Sequence, residues 1–311
     1  MLLTHGASAA QLPPVALTVG NFDGIHRGHQ ALLQRLLAGA RTRRLQSCVL
    51  TFEPHPREFF AAQAAPTRLA SLREKLELLD AHGVERTHVQ RFDRAFASLA
   101  PESFVERVLA KRLRARWLLI GRDFRFGAKR AGDLGVLKDL GRRYGYEVEV
   151  LADIAQAGTR VSSSAVRAAL AAGNLGAAEA LLGRPYSISG RVVHGRKLGR
   201  ELGFATANVQ LKHNRPPLYG IFAVRVHGVG TSSRPAVASL GVRPTITASG
   251  RAVLEVHLFD FSEDLYGAHM RVEFMHKIRD EEKYSDLGAL KAQIERDCEA
   301  ARAFLLDARN A

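Results

Sequence analysis

Cysteine is scarce in this chain: Cys48 and Cys298 are the only thiols in 311 residues. Two distant cysteines exclude a disulfide framework and a cysteine-based zinc site, so both read as ordinary thiols. Long apolar runs are also missing. No stretch reaches the roughly 18 uncharged residues that a membrane-spanning helix needs. The opening residues MLLTHGASAAQLPP lack the basic start and apolar stretch of an export signal, so a cytoplasmic protein is expected. Acidic residues are in deficit, 31 Asp+Glu against 45 Lys+Arg, which leaves a formal charge of +14. Residues 1–183 carry 26 basic against 17 acidic side chains (+9), and 184–311 carry 19 against 14 (+5), so the excess is spread through the chain. That charge suits anionic small molecules such as polyphosphates. Zinc-finger spacing and an aromatic RNA-binding signature are both lacking, so neither a nucleic acid nor a membrane is expected as partner.

What is present begins with Val15–His29, VALTVGNFDGIHRGH. Val15, Leu17 and Val19 form a short apolar strand, Gly20, Gly24 and Gly28 permit tight backbone, and helical spacing resumes through Leu33, Leu36 and Leu37. A strand-turn-helix unit aims the free N–H groups of a helix start at its ligand, and phosphate is the usual guest. His26 and His29, three residues apart, can face one side there, donate hydrogen bonds to an anion and carry positive charge. A zinc site would need a third ligand, and His-Glu-x-x-His is absent. The glycines fit neither the dinucleotide fingerprint nor a P-loop, so another phosphate-handling family is required.

Further strands are expected at Ser47–Glu53, Thr87–Phe92, Trp117–Ile120 and Glu147–Leu151, with helices near Leu69–His82, Pro101–Leu113 and Leu134–Tyr144. This alternation implies a doubly wound α/β parallel sheet with ligands beyond the carboxyl ends of its strands. Three strings follow strands or open helices. FEPHPREFF (Phe52–Phe60) reads as a proline-stiffened loop carrying His55 and Arg57, suited equally to a flat aromatic ligand or to packing. In GRDFRFG (Gly121–Gly127), Asp123 is either a loop-capping carboxylate or a ligand contact. VSSSAVR (Val161–Arg167) opens a short helix whose Ser162, Ser163, Ser164 and Arg167 form a second helix-start anion site.

Near Arg184 the pattern changes to successive β runs at Ser187–His194, Tyr219–Val226, Pro235–Leu240, Val253–Phe261 and Met270–His276, followed by a helix from Leu287 to Leu306. A small antiparallel β-barrel with a C-terminal helix follows, and a domain boundary between residues 183 and 184. HGRKLGRELGFATAN (His194–Asn208) is a glycine-rich basic loop joining the first two barrel strands. Glu255, inside VLEVHLFDF, is a carboxylate among apolar strand residues, which is costly unless it is exposed at the barrel mouth or paired.

Taken in order, these strings resemble the His-x-Gly-His nucleotidyltransferases, in the form found in bacterial bifunctional riboflavin kinase/FAD synthetases. GNFDGIHRGH is similar to the nucleotidyltransferase signature, GRDFRFG to Gly-x-Asn/Asp-Phe-x-Phe-Gly, and VSSSAVR to Ile-Ser-Ser-Thr-x-Ile-Arg with Ser164 for threonine. Gly199–Asn208 resembles the flavokinase signature with Ala205 in place of proline, and SLGVRPT resembles Asn-x-Gly-x-Arg-Pro-Thr with Ser239 for asparagine.

The resemblance implies two domains. Residues 1–183 would adenylylate FMN to FAD with release of pyrophosphate, and 184–311 would phosphorylate riboflavin to FMN, both using ATP. It implies that Gly20, Phe22, Asp23, Gly24, His26, His29, Ser162, Ser163, Ser164 and Arg167 handle ATP in the first reaction. Gly199, Thr206 and Asn208 would do so in the second, with Thr206 and Asn208 on Mg²⁺. Glu255 is implied as the general base on the ribityl 5′-hydroxyl, and His55, Asp123, Phe124 and Arg279 as flavin contacts, Arg279 from a flap. The expected partners are small molecules, and the expected state is a monomer or weak homo-oligomer.

Overall fold

The computed structural model describes residues 1–6, 12–152, 155–156, 159–195, 203–212, 215–242 and 252–307. The chain divides into two compact units: Met1–Pro66 with Leu72–Ser162, and Thr67–Ser71 with Ser163–Ala311.

The first unit is a six-stranded parallel sheet of β1 (Leu2–His5), β2 (Val15–Val19), β3 (Gln46–Glu53), β4 (Arg86–Arg91), β5 (Ala115–Gly121) and β6 (Glu147–Leu151). Its spatial order is β1-β4-β3-β2-β5-β6, so the chain reverses direction across the sheet between β2 and β5. Both faces are covered, as parallel sheets require, and β2 is accordingly apolar and buried along its whole length. One face joins Leu17, Leu50 and Leu118 to the segment Pro101–Arg112 and the helix Leu134–Tyr144. The other joins Ala16, Val49 and Trp117 to the helices Arg27–Thr42 and Leu72–Ala81.

Gly39 is what lets the helix Arg27–Thr42 approach that second face. A β-carbon there would lie 2.6 Å from Cζ3 of Trp117, whose indole is 1% exposed and has nowhere to go. Gly39→Ala should therefore destabilise the first unit by about 1–3 kcal/mol, as overpacked core sites do, despite alanine's better helix propensity. Urea unfolding followed by Trp117 fluorescence measures it; an unchanged or raised midpoint would contradict the close contact.

Several elements differ from the expected ones for local reasons. Edge strand β1 was not expected. Its pairing with β4, Leu2 opposite Arg86 through His5 opposite Val89, is a long-range contact without a local signal. The helix expected from Leu69 begins at Leu72, because Thr67–Ser71 belongs to the second unit. Pro101–Leu113 is α-helical only to Phe104 and continues as a wider π-helical turn over Val105–Arg112. The FEPHPREFF segment is a short helix, Pro56–Phe60, because His55 and Glu58 form a reciprocal capping box over a proline at its first turn.

After a two-residue hairpin of β7 (Ala155–Gln156) and β8 (Thr159–Arg160), the second unit contains a closed antiparallel barrel. Its strands are β9 (Tyr186–Val193), β10 (Ala207–Val209), β11 (Gly220–His227), β12 (Arg234–Val242), β13 (Ala252–Leu258) and β14 (His269–Arg279), in the order β10-β13-β12-β11-β14-β9 with β9 closing on β10. Alternate residues fill the interior, among them Ile188, Phe222, Val224, Leu254, Val256 and Phe274. The helices Ser163–Ala171 and Leu175–Leu182 pack on this same core through Val166, Leu170 and Ala178. On the outer wall, Ile221, Ala223, Val237 and Phe259 receive Cys298, Ala301 and Leu305 of the C-terminal helix Leu287–Asp307. Three-residue β10 was not expected as a strand; it makes Asn208 part of the wall rather than the end of a loop.

Candidate functional site

In an open parallel sheet the ligand crevice forms where strand order reverses, here beyond the carboxyl ends of β2 and β5. The turn leaving β2 is strongly bent: Phe22, Gly24 and Ile25 have φ of 49°, 82° and 42°. Positive φ costs a side-chain-bearing residue about 1–3 kcal/mol, most of all a β-branched one. Phe22 and Ile25 offset this by burying completely, a gain of about 1.5–3 kcal/mol each. The turn is thereby pinned from below, with Asp23 buried between its two anchors.

His26 is the N-cap of the helix Arg27–Thr42, its Nδ1 accepting the backbone N–H of His29 at 3.3 Å. The two imidazoles stack at 3.8 Å with 16° between their planes. Gly28 makes the stack possible, since a β-carbon there would sit 3.2 Å from the His26 ring and 3.4 Å from the Val161 carbonyl. Both rings line a 280 Å³ cavity with Gly20, Phe22, Val161 and Ser162. His29 Nδ1 is buried without a hydrogen-bond partner, as expected of a group kept for a ligand.

Of the two imidazoles, His29 is the one held from taking up positive charge in the ligand-free protein. Burial, then the His26 ring, then the Lys75 ammonium hold it well below the ordinary 6.5, so it is neutral at physiological pH. Its folded pKa is depressed, so it contributes stability that is present above about 6.5 and lost as pH falls toward the folded value. Imidazole ¹⁵N shifts of the ligand-free protein should place the His29 midpoint well below 6.5; a midpoint at or above 6.5 would contradict the burial argument.

Lys75 was not anticipated from the sequence. It is 4% exposed on the buried face of the helix Leu72–Ala81, and its Nζ donates to Thr51 Oγ1 at 3.3 Å. That hydroxyl donates in turn to the Asn21 carbonyl at 3.2 Å. A buried ammonium thus braces the turn from beneath. The available signal was a lysine at i+3 from Leu72 and i−4 from Leu79, among the apolar positions of an amphipathic helix.

On the other side of Val19 and Gly20 lies a 660 Å³ cavity walled by phenylalanines. Phe52, Phe92 and Phe96 meet edge-on or tilted at 5.5–5.8 Å, and Phe124 stacks on Phe126 at 5.6 Å. His55, Asp123 and Phe124, all expected as flavin contacts, line it together. His55 Nδ1 is engaged as a cap, accepting from Arg57 N at 3.1 Å. Phe92 and Phe96, just past the end of β4, were not singled out as site residues. Val19 and Gly20 border both cavities, so an aromatic chamber and an imidazole chamber share one wall.

Of the serine string, Ser162 belongs to the first unit and borders the imidazole cavity. Ser163, Ser164 and Arg167 belong to the second unit, at the start of the helix Ser163–Ala171. There Arg167 Nε donates to the Thr67 carbonyl at 2.5 Å.

In the barrel, Leu254, Val256 and Leu258 take the interior, so Glu255 lies half-buried on the opposite face of β13. Register puts Asn208 of β10 directly beside it on one flank and Ser239 of β12 on the other. Asn208 is 9% exposed, and its amide packs over Gly195, where a β-carbon would come within 2.7 Å of Oδ1. Thr206, two residues before Asn208, lines a 250 Å³ cavity with Ala205, Asp264 and Tyr266. The Ala205 carbonyl is hydrogen-bonded to His257 Nδ1 at 2.9 Å, an anchor for the position where the family pattern has proline. Gly199 and the Arg243–Thr245 part of SLGVRPT lie outside the described residues.

Arg279 donates from Nε and Nη2 to both oxygens of Asp297, at 2.8 and 2.6 Å, and from Nη1 to the Asp280 carbonyl at 2.9 Å. Three of its five N–H groups are thus committed to tying the end of β14 to the C-terminal helix. Among the described residues no group of three or more His, Cys, Asp or Glu is disposed to hold a metal. Thr206 and Asn208 offer hard oxygens on the wall that carries Glu255, which suits Mg²⁺, an ion that keeps few protein ligands and takes the rest from phosphate and water.

Comparison with known proteins covers both units. Residues 8–165 match the family model for FAD synthetase, and residues 182–305 that for riboflavin kinase. A bifunctional riboflavin kinase/FMN adenylyltransferase of Escherichia coli K12 is 49% identical over 300 residues, 96% of each chain. Proteins of the same description from Pseudomonas fluorescens and Haemophilus influenzae are 48% and 46% identical, covering 92% of both chains and 96% and 97% respectively. A crystal structure described as a macrolide-efflux protein from Streptococcus pneumoniae superposes with a TM-score of 0.81 at 30% identity, over 97% of this chain and 99% of that one. No helix among the described residues is long and apolar enough to cross a membrane.

Proposed function

The chain belongs to the bifunctional riboflavin kinase/FMN adenylyltransferase family, and we propose how its two halves divide the chemistry. It phosphorylates riboflavin to FMN with ATP and adenylylates FMN to FAD with release of pyrophosphate. We assign FMN adenylylation to residues 1–183 and riboflavin phosphorylation to 184–311, a division supported by family matches that end at residue 165 and begin at 182.

In adenylylation an FMN phosphate oxygen attacks the α-phosphorus of ATP, and the bond to the bridging oxygen of the β-phosphate breaks. The observation that carries the assignment is the stacked pair His26 and His29, with a buried unpartnered Nδ1, one wall away from a phenylalanine-lined chamber of 660 Å³. A cavity of that size and lining accepts a flat aromatic ring system. The chain's part is to hold the flavin between Phe124, His55 and Asp123, and to stabilise charge on the transferring and leaving phosphates from Gly20, Phe22, Asp23, Gly24, His26, His29 and Ser162. A neutral His29 acts as a hydrogen-bond donor, so no covalent intermediate or proton transfer is required of it. Ser163, Ser164 and Arg167 are assigned to ATP phosphate on their motif alone. A different phosphorylated acceptor is disfavoured by the aromatic chamber.

In phosphorylation Glu255 takes the proton of the ribityl 5′-hydroxyl as its oxygen attacks the γ-phosphorus, and ADP leaves. Its place between Asn208 and Ser239 on a half-exposed face supports this role, since the carboxylate stays open to substrate. Gly199 is carried with this site on its motif. Mg²⁺, held by Thr206, Asn208 and the phosphates, would neutralise charge on the triphosphate. EDTA should therefore abolish FMN formation and added Mg²⁺ restore it; undiminished turnover in EDTA would contradict the metal assignment. Arg279 is the member we place one step from the flavin, holding the flap to the C-terminal helix through Asp297. Because ATP is a co-substrate of both steps, the cytoplasm is the setting we propose, with a monomer or weak homo-oligomer as the working unit.

A further inference from the structure

Strand β4 carries a concentration of positive charge that neither activity uses. Arg86, His88 and Gln90 alternate along its face toward the segment Pro101–Arg112, with Cys48 and Leu50 beside them on β3, and Leu2 and Thr4 on β1. Arg86 is completely buried. Its Nη1 reaches the Pro13 carbonyl at 3.5 Å, while Nε and Nη2 are buried without any partner. His88 is completely buried as well, its Nδ1 3.0 Å from Thr4 Oγ1 and its Nε2 without a partner. Arg112 adds a second guanidinium, donating to Gln90 Oε1 at 2.9 Å. Among the described residues neither arginine has a carboxylate partner.

The two kinds of group respond differently to this environment. Burial, then Arg112, then Arg86 push His88 down to about 4 against a smaller opposing pull from the Gln90 side chain, so the imidazole stays neutral. A guanidinium cannot lose its proton inside a protein, and an unpaired buried charge is among the most costly features a core can hold. Three buried nitrogens without hydrogen-bond partners therefore lie along one face of β4, and among the described residues no carboxylate pairs with them. We propose that the Arg86–His88 face of β4 is a binding site for a small inorganic anion of halide size. Arg86 Nε and Nη2 and His88 Nε2 hold it, in the His88 tautomer that accepts from Thr4 at Nδ1, and Arg112 adds attraction from the overlying segment. Leu50, opposite His88 on β3, is apolar and leaves these donors as the recognition elements.

The test uses the full chain and chloride. Thermal unfolding is followed as chloride replaces gluconate at constant ionic strength, in wild type and in Arg86→Met, which keeps the side-chain length and removes the charge. The wild-type midpoint should rise with the logarithm of chloride concentration, as mass action requires of a ligand that binds the folded state. Arg86→Met should not respond, and in gluconate it should be at least as stable as wild type. Parallel chloride curves in the two proteins, or a variant less stable than wild type in gluconate, would overturn the site. Crystals of the wild-type protein soaked in bromide give an independent readout. An anomalous peak within hydrogen-bonding distance of Arg86 Nε and Nη2 is expected, and its absence at saturating bromide would overturn the proposal even if Arg86→Met failed to fold.

Discussion

His29→Ala should lower FAD formation from FMN and ATP by a factor of about 10²–10³, the loss typical when one donor to a developing phosphate or oxyanion charge is removed. FMN formation from riboflavin should continue at the wild-type rate, so the same variant reports that the chain still folds. The size follows from what the imidazole does in this geometry. It stacks on the helix-capping His26, it is neutral, and its Nδ1 has no other partner, so the helix start holds no ready substitute at that position. Separate assays with FMN and with riboflavin measure the two rates. Parallel loss of both activities would mean that His29 serves the fold or a shared step rather than adenylyl transfer.

Glu255→Gln should show the opposite pattern. Loss of a general base costs about 10²–10⁴ in rate, and the amide keeps the shape of the wall between Asn208 and Ser239 while removing basicity. Riboflavin phosphorylation should fall by that factor, with FAD formation from supplied FMN unchanged. Because Glu255 lies on the face of β13 opposite Leu254 and Val256, the substitution leaves their packing intact. Full kinase activity in the variant would show that the carboxylate is structural.

Much of this was legible because the local signals were strong. Val15, Leu17 and Val19 followed by glycines and Leu33, Leu36 and Leu37 gave a strand, a turn and a helix, and Glu147–Leu151 and Leu134–Tyr144 were read at their observed limits. What stayed hidden depended on contacts distant in sequence. β10 is three residues long, too short for alternation to be visible, and exists because it pairs with β9 and β13. Phe92 was read as the last residue of a strand and Phe96 was not singled out, and only the sheet order brings them together with Phe52 and Phe124. Arg279 was read as a flap residue from its motif, and its pairing with Asp297, eighteen positions on, became visible only when the C-terminal helix was seated on the barrel. Lys75 was the most readable of the missed residues, since a lysine at an apolar helical position must find a partner or neutralise.

The most direct test of the central claim is a chromatographic time course of riboflavin with Mg·ATP and the purified wild-type chain. The account predicts that FMN rises first with one ADP for each FMN made, and that FAD then follows with one pyrophosphate for each FAD. FAD appearing without prior FMN, or a reaction that stops at FMN with FMN itself refused as a substrate, would contradict it.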